Sequence, residues 1–195
     1  DLVYLKENMY PIVTEKINEY LESHRKDLDG IYISGGEPLM HEGVVSFLQY
    51  AKTLNYKIKI HTNGMFYERL KTILAQKLVD HVSLDIKNAP SAYAKTCGVE
   101  DMDLKDIEKS LDLLKQSVVP YDICVTLVDE LHNQATIEEL GQWIQGVDTV
   151  ILQPFEDSET TIDHSLHRPS FEMVLKYKKI LEKYVKYVKI RGNQA

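Results

Sequence analysis

The feature that most constrains this chain is a strict alternation of short β-branched runs with amphipathic stretches, carried from one end to the other. Residues 30–34, 57–61, 81–85, 121–126 and 149–153 read as strands, with 186–190 as a sixth. Between them lie helical spacings. Residues 11–23 open with Pro11, suited to a first turn, and set Val13, Ile17, Tyr20 and Leu21 on one face. Residues 43–54 and 68–78 follow, the second with Leu70, Ile73, Leu74 and Leu78 in register. Asp103 is expected to cap a helix carrying Leu104, Ile107, Leu111 and Leu114. Thr136 with Glu139 is expected to form a capping box for a helix bearing Ile137, Leu140 and Ile144, and a last helix spans about 169–184. Alternation of this kind implies a parallel sheet with right-handed crossovers, either a barrel, part of one, or a doubly wound open sheet. No Pro/Gly/Ser-rich linker divides the 195 residues, so a single domain over 1–195 is expected.

Composition removes several function classes. Two cysteines, Cys97 and Cys124, supply neither a disulfide framework nor a four-cysteine zinc site nor a three-cysteine iron–sulfur site within this chain. A formal charge of −7 disfavours an extended nucleic-acid surface, which needs clustered Lys and Arg in excess. The lysines at 176, 178, 179, 183 and 186 alternate with Glu172 and Glu182 and read as a solvated helix face. No apolar stretch approaches the roughly 18 residues of a membrane span, and none resembles a signal peptide, so a cytoplasmic protein without membrane partners is the expectation.

In parallel α/β folds the chemistry gathers at the C-terminal ends of the strands. Here those ends read Ser34-Gly35-Gly36-Glu37-Pro38, His61-Thr62-Asn63-Gly64, Asp85-Ile86-Lys87-Asn88, Thr126, and Gln153-Pro154-Phe155-Glu156-Asp157. The glycine pair lets backbone approach a ligand, Glu37 is suited to an amine, and Pro38 stiffens the turn. Neither GxGxxG nor the Walker pattern is present, and an acid directly after the glycines argues against a phosphate cradle. Asp85 and Lys87, two apart on a strand, share a face suited to a hydroxyl and a carboxylate respectively, or to pairing with each other. His61 reads as a general base, a ligand or a hydrogen-bonding strand cap. His164 and His167 flank Leu166 in a polar loop and need a further ligand before a metal is worth invoking.

The segment Ser34-Gly35-Gly36-Glu37-Pro38 resembles the GGEP segment of radical S-adenosylmethionine enzymes. In the glycyl-radical-enzyme activase branch, which includes the pyruvate formate-lyase activating enzyme, the next strand ends in TNG, here Thr62-Asn63-Gly64. The one after it ends in Asp-x-Lys, here Asp85-Ile86-Lys87. The strand 151–155 and the terminal run 188–192 are most similar to activating proteins of anaerobic ribonucleoside-triphosphate reductase. The resemblance implies a partial (β/α)₆ TIM-like barrel of parallel strands, its first strand and cluster loop missing from this chain. It implies that Gly35, Gly36, Glu37 and Pro38 form the segment that holds the methionine amine of S-adenosylmethionine. Asn63, Asp85 and Lys87 are implied for its ribose and carboxylate, and Thr126 and Gln153 for the adenosine side.

The activity so implied is reductive cleavage of S-adenosylmethionine to a 5′-deoxyadenosyl radical that installs a glycyl radical on a partner enzyme. An electron donor such as flavodoxin or ferredoxin goes with it. One departure from the pattern stands out. The family's [4Fe–4S] ligands come from a CxxxCxxC loop that does not occur here, and the chain opens at Asp1-Leu2-Val3, where the family's sequence continues after that loop. The cluster is therefore expected of a complete protein only, and these residues alone are expected to be inactive. Two other readings stay open: a cysteine-free module that binds S-adenosylmethionine or a partner without catalysis, and an unrelated (β/α) barrel enzyme using Asp85, Lys87 and His61.

Overall fold

A computed structural model describes residues 14–159, 161 and 163–192. Within them, six strands form one parallel sheet in sequence order: β1 (Gly30–Ile33), β2 (Lys57–Thr62), β3 (His81–Asp85), β4 (Tyr121–Leu127), β5 (Thr149–Pro154) and β6 (Tyr187–Ile190). The helices are α1 (Thr14–Ser23), α2 (Val44–Thr53), α3 (Tyr67–Ala75), α4 (Pro90–Cys97), α5 (Lys105–Lys115), α6 (Gln134–Trp143) and α7 (Phe171–Leu181). A doubly wound sheet reverses its strand order at a switch point; this one never does, which leaves a run of barrel staves.

Registers such as Ile60↔Val82 and Val125↔Leu152 show what the period-two pattern achieves. One face of the sheet carries Ile58, Ile60, Val82, Leu84, Ile123, Val125, Val150, Leu152 and Val188. These pack with Leu48, Leu70, Ile73, Leu111, Leu140 and Val174 from the helices in a single buried cluster. The opposite face carries Tyr32, Lys59, His61, Ser83, Asp85, Asp122, Cys124, Thr126 and Gln153. The helices pack on the apolar side, as right-handed crossovers in an unreversed order would place them, and the polar residues share the other one.

Several local expectations shift. The start expected at Pro11 and the packing of Val13 lie outside the described residues. Asp103 does not occupy the capping position of α5; Leu104 does, while the Asp103 carboxylate accepts from the Lys105 amide at 3.0 Å. The capping box of α6 sits three residues upstream of the expected one. Asn133 accepts from the Thr136 amide, and the Thr136 hydroxyl accepts in return from the Asn133 amide. Asn133 is the stronger cap and takes the position. Glu139 reaches sideways instead to the amide and hydroxyl of Ser91 on α4. Helix α4 itself goes unanticipated, although Pro90 in its first turn and the left-handed Gly98 closing it are ordinary start and stop signals.

Candidate functional site

Where β1 ends, Ser34, Gly35 and Gly36 are exposed and the chain then dives inward. Gly35 has φ +133°, a conformation side chains rarely adopt, and nothing lies within 4 Å of where a Cβ would stand. Glu37 is only 3% exposed. Its Oε1 accepts from the Leu39 amide at 2.9 Å and the Thr62 hydroxyl at 2.8 Å, and its Oε2 from the Asn63 amide at 2.6 Å. Glu37 thus caps the short 3₁₀ turn Pro38–Met40 and ties the end of β1 to the end of β2. Arg69 of α3 donates to the Leu39 carbonyl and holds the same turn from behind. The carboxylate turned inward leaves the Gly35–Gly36 backbone as what faces the rim.

The segment after β2 is equally constrained. Gly64 has φ +79°, a Cβ there would come within 2.8 Å of Leu84 Cδ1, and its carbonyl accepts from the buried Ser110 hydroxyl at 2.7 Å. Asn63 is half-buried, its side-chain oxygen accepting from the Met65 amide at 3.0 Å. His61, two positions before Asn63, lies on the polar face with Nδ1 2.8 Å from the Tyr32 hydroxyl and Nε2 4.0 Å from Asp85 Oδ2. Burial holds its imidazole below the ordinary histidine value, against the opposing pull of Asp85.

At the end of β3, Asp85 and Lys87, the latter two residues past the strand, are paired through Asp85 Oδ2, with side chains 18% and 41% exposed. The Lys87 backbone is pinned separately by a residue that sequence reasoning missed. His132, 3% exposed, stands 3.1 Å by Nε2 from the Lys87 carbonyl and accepts at Nδ1 from the Val128 amide at 3.1 Å. That pattern fixes the Nε2–H tautomer, and burial pushes its pKa down. A lone histidine in a loop gives no signal of such a contact, which spans 45 positions. Asn88, the fourth residue of that strand end, is wholly buried and donates to Thr96 and to the Leu131 carbonyl, a structural role. Thr126 and Gln153 are register partners, the first half-buried and the second exposed.

Below this rim, Asp122 gathers four donors on the polar face. Ser83 Oγ and His81 Nε2 are each at 2.6 Å, Lys59 Nζ at 3.2 Å, and Cys124 Sγ at 3.3 Å. Burial alone would raise the Asp122 pKa, but the bonds from His81 and Ser83 and the charge of Lys59 outweigh it and hold the carboxyl well below the usual range. Cys124 is the fourth of these donors. It is buried but polar-facing, and burial with the Asp122 charge pushes its thiol up to about 12, so it stays protonated.

His164 and His167 do not converge. The first pairs with Asp157 at 3.0 Å and the second with Glu130 at 2.6 Å. No group of three or more His, Cys, Asp or Glu able to hold a metal occurs among the described residues. With two cysteines in the whole chain, one exposed on α4 and one on β4, the residues here do not fit a three-cysteine iron–sulfur cluster. No helix among the described residues is long and apolar enough to cross a membrane.

Comparison with known proteins bears on the family and the fold. The Radical SAM superfamily profile matches residues 4–144. A Methanocaldococcus jannaschii protein provisionally named a glycyl-radical enzyme activating enzyme is 30% identical over 169 residues, covering 84% of this chain and 70% of its own. A domain of the pyruvate-formate lyase-activating enzyme from Bacteroides vulgatus superposes with a TM-score of 0.65 at 20% identity, over 84% of this chain and 99% of that one. Streptococcus suis SuiB, in a structure bound to S-adenosylmethionine, superposes at 0.73 and 13% identity, covering 96% of this chain and 46% of SuiB. At those identities the two structures speak for the fold.

Proposed function

We propose, from the premise that this chain belongs to the radical SAM superfamily, that it is the S-adenosylmethionine-binding core of an activase for a glycyl-radical enzyme. The observation that carries the reading is the juxtaposition of an open glycine backbone at the end of β1 with the Asp85–Lys87 pair two strands away. A zwitterionic amino acid needs acceptors for its amine and a cation for its carboxylate. The Gly35–Gly36 backbone, with the Glu37 carboxylate and Pro38 behind it, provides the first, and Lys87 the second. Asn63 and Asp85 are suited to ribose hydroxyls, and Thr126 with Gln153 to the adenosine side. The Gly35 backbone is open to such a ligand, with nothing within 4 Å of where a Cβ would stand. When bound, S-adenosylmethionine supplies the sulfonium carbon–sulfur bond that the family cleaves.

The iron–sulfur cluster is a different matter. The chain's residues do not fit it, so no step is assigned through it, and these 195 residues by themselves are proposed to bind without reacting. The unrelated-barrel reading falls with family membership. The binding-module reading stays as the second possibility, favoured by the cysteine count. The proposed partner is anaerobic ribonucleoside-triphosphate reductase, supported by the likeness of the 151–155 and 188–192 segments to activating proteins of that system. A flavodoxin or ferredoxin is the proposed donor and the cytoplasm the proposed compartment. The reading is tested by calorimetric titration of S-adenosylmethionine into the chain, with Lys87→Met and Gly35→Val alongside. Saturable binding weakened at least tenfold in both variants supports it; no binding to the parent chain, or equal binding to all three, overturns it.

A further inference from the structure

The Asp85–Lys87 pair has a consequence for the neighbouring strands. Two groups address the same oxygen of Asp85: Lys87 Nζ, in contact with Oδ2, and His61 Nε2, 4.0 Å from it. At 4.0 Å the imidazole stands near but not bonded. Its other nitrogen is engaged, Nδ1 lying 2.8 Å from the hydroxyl of Tyr32 on β1. Two tautomers satisfy that contact. If Nδ1 carried the proton, the bare lone pair of Nε2 would face a carboxylate, which is repulsive. If the Tyr32 hydroxyl donates to Nδ1, Nε2 carries the proton and presents a donor to Asp85. Electrostatics therefore select the second arrangement, and Tyr32 is what sets it.

The charged and titratable groups around His61 are Tyr32 on β1, Lys59 on β2, Asp85 and Lys87 at the end of β3, and Asp122 on β4. Lys59 and Asp122 are 3.2 Å apart and largely cancel. Lys59 also lies over the Tyr32 ring, 5.8 Å from its centre. What is left to act on the imidazole is the balance between Asp85 and Lys87. A ligand carboxylate that engages Lys87 divides that cation between two anions; ribose hydroxyls occupy one oxygen of Asp85, and Oδ2 is left open to the Nε2–H of His61, 4.0 Å away.

We propose that His61, its tautomer set by Tyr32, is a positioning residue that takes up Asp85 Oδ2 when Lys87 turns to a ligand carboxylate. This inference rests on the S-adenosylmethionine reading above. Binding then makes a new His61–Asp85 hydrogen bond and favours the protonated imidazole, so it draws in a proton near the histidine's titration range. Burial and Lys87 lower the imidazole pKa, and Asp85 freed from Lys87 raises it.

The test combines binding with a ligand-free measurement. In titrations of S-adenosylmethionine into the chain, His61→Ala is expected to weaken binding about tenfold, and His61→Gln, whose amide can donate to Asp85, to stay within about twofold of the parent. Tyr32→Phe should fall between them. Titrations at pH 6.5 in two buffers of different ionisation enthalpy should show proton uptake in the parent chain and none in His61→Gln. Unchanged affinity in His61→Ala, or a glutamine variant as weak as the alanine one, overturns the proposal, as does equal proton uptake in parent and glutamine variant. Nitrogen-15 spectra of the ligand-free chain supply the independent arm: Lys87→Met should raise the His61 pKa and keep the Nε2–H tautomer. If the parent chain binds no S-adenosylmethionine, the ligand reading fails, and the spectra still decide this one. An unshifted pKa in Lys87→Met overturns it whatever the titrations show.

Discussion

Glu37 shows how one side chain can hold a loop from within. It is buried, yet both carboxylate oxygens accept hydrogen bonds from within the chain. Glu37→Gln replaces one acceptor with an amide donor, and whichever way the amide turns, a donor meets a donor. The variant is expected to lose about 1–3 kcal/mol in denaturant unfolding, the usual cost of an unmade buried bond; an unchanged midpoint would sink this account. His132 leads to a pH dependence. Its pKa is depressed by burial, so the unfolded state takes up a proton first as pH falls. Stability is then full above about pH 6.5 and declines as pH drops from there through the folded-state value. His132→Gln should be less stable at pH 8 and show a shallower decline between about pH 6.5 and 5. It should not be flat, because the depressed His61 contributes with the same sign. Residue identities at the rim were readable because strand ends in parallel folds converge and a local pattern names them. His132 and Asp122 were not, since their partners come from other strands and loops and leave no local spacing to read.

At the level of elements, strands read more faithfully than helix ends. The β3 run at 81–85 coincides with the observed strand, and β2, β4 and β5 extend one residue beyond expectation. Alternating burial fixes a strand's residues two by two, whereas a helix end depends on which nearby polar group wins the cap, and around α6 Asn133 beats Thr136. Asn133→Ala should accordingly cost about 1 kcal/mol, measurable as a shift in the unfolding midpoint. Helix α6 also carries Gly141, where a Cβ would stand 2.4 Å from the ring of Tyr184. Helix propensity alone makes alanine better there by roughly 1 kcal/mol, but overpacking costs about 1–3 kcal/mol, and the ring is held by a hydrogen bond to Glu138 on the same helix. Gly141→Ala is expected to destabilise; a rise in melting temperature would show that Tyr184 moves aside freely.

Across the whole molecule, the two faces of the sheet divide the work. One is committed to the hydrophobic core with the helices, and the other presents the Asp122 cluster with the strand-end rim above it. The family's redox group has no three-cysteine site in this arrangement. Anaerobic incubation of the chain with iron and sulfide should therefore leave no stoichiometric [4Fe–4S] absorption, while titration with S-adenosylmethionine still reports binding. A bound cluster in these residues would contradict the ligand count drawn from them. The division also says where substitutions will act. Changes around Asp122 should read out in unfolding, and changes at Gly35, Asp85 or Lys87 in affinity.

The unreversed strand order has a consequence for how the chain comes to be folded at all. Every strand pairs with the one that precedes it in sequence, so no pairing waits for a distant part of the chain. As the polypeptide emerges from the ribosome, each new strand-and-helix unit meets a finished edge on which to assemble, and the closure entropy of each step stays modest. Growth by accretion of this kind moves one open edge along with the newest strand at every stage, while β1 keeps the other among the described residues, so wrong pairing of the nascent chain threatens at these two strands.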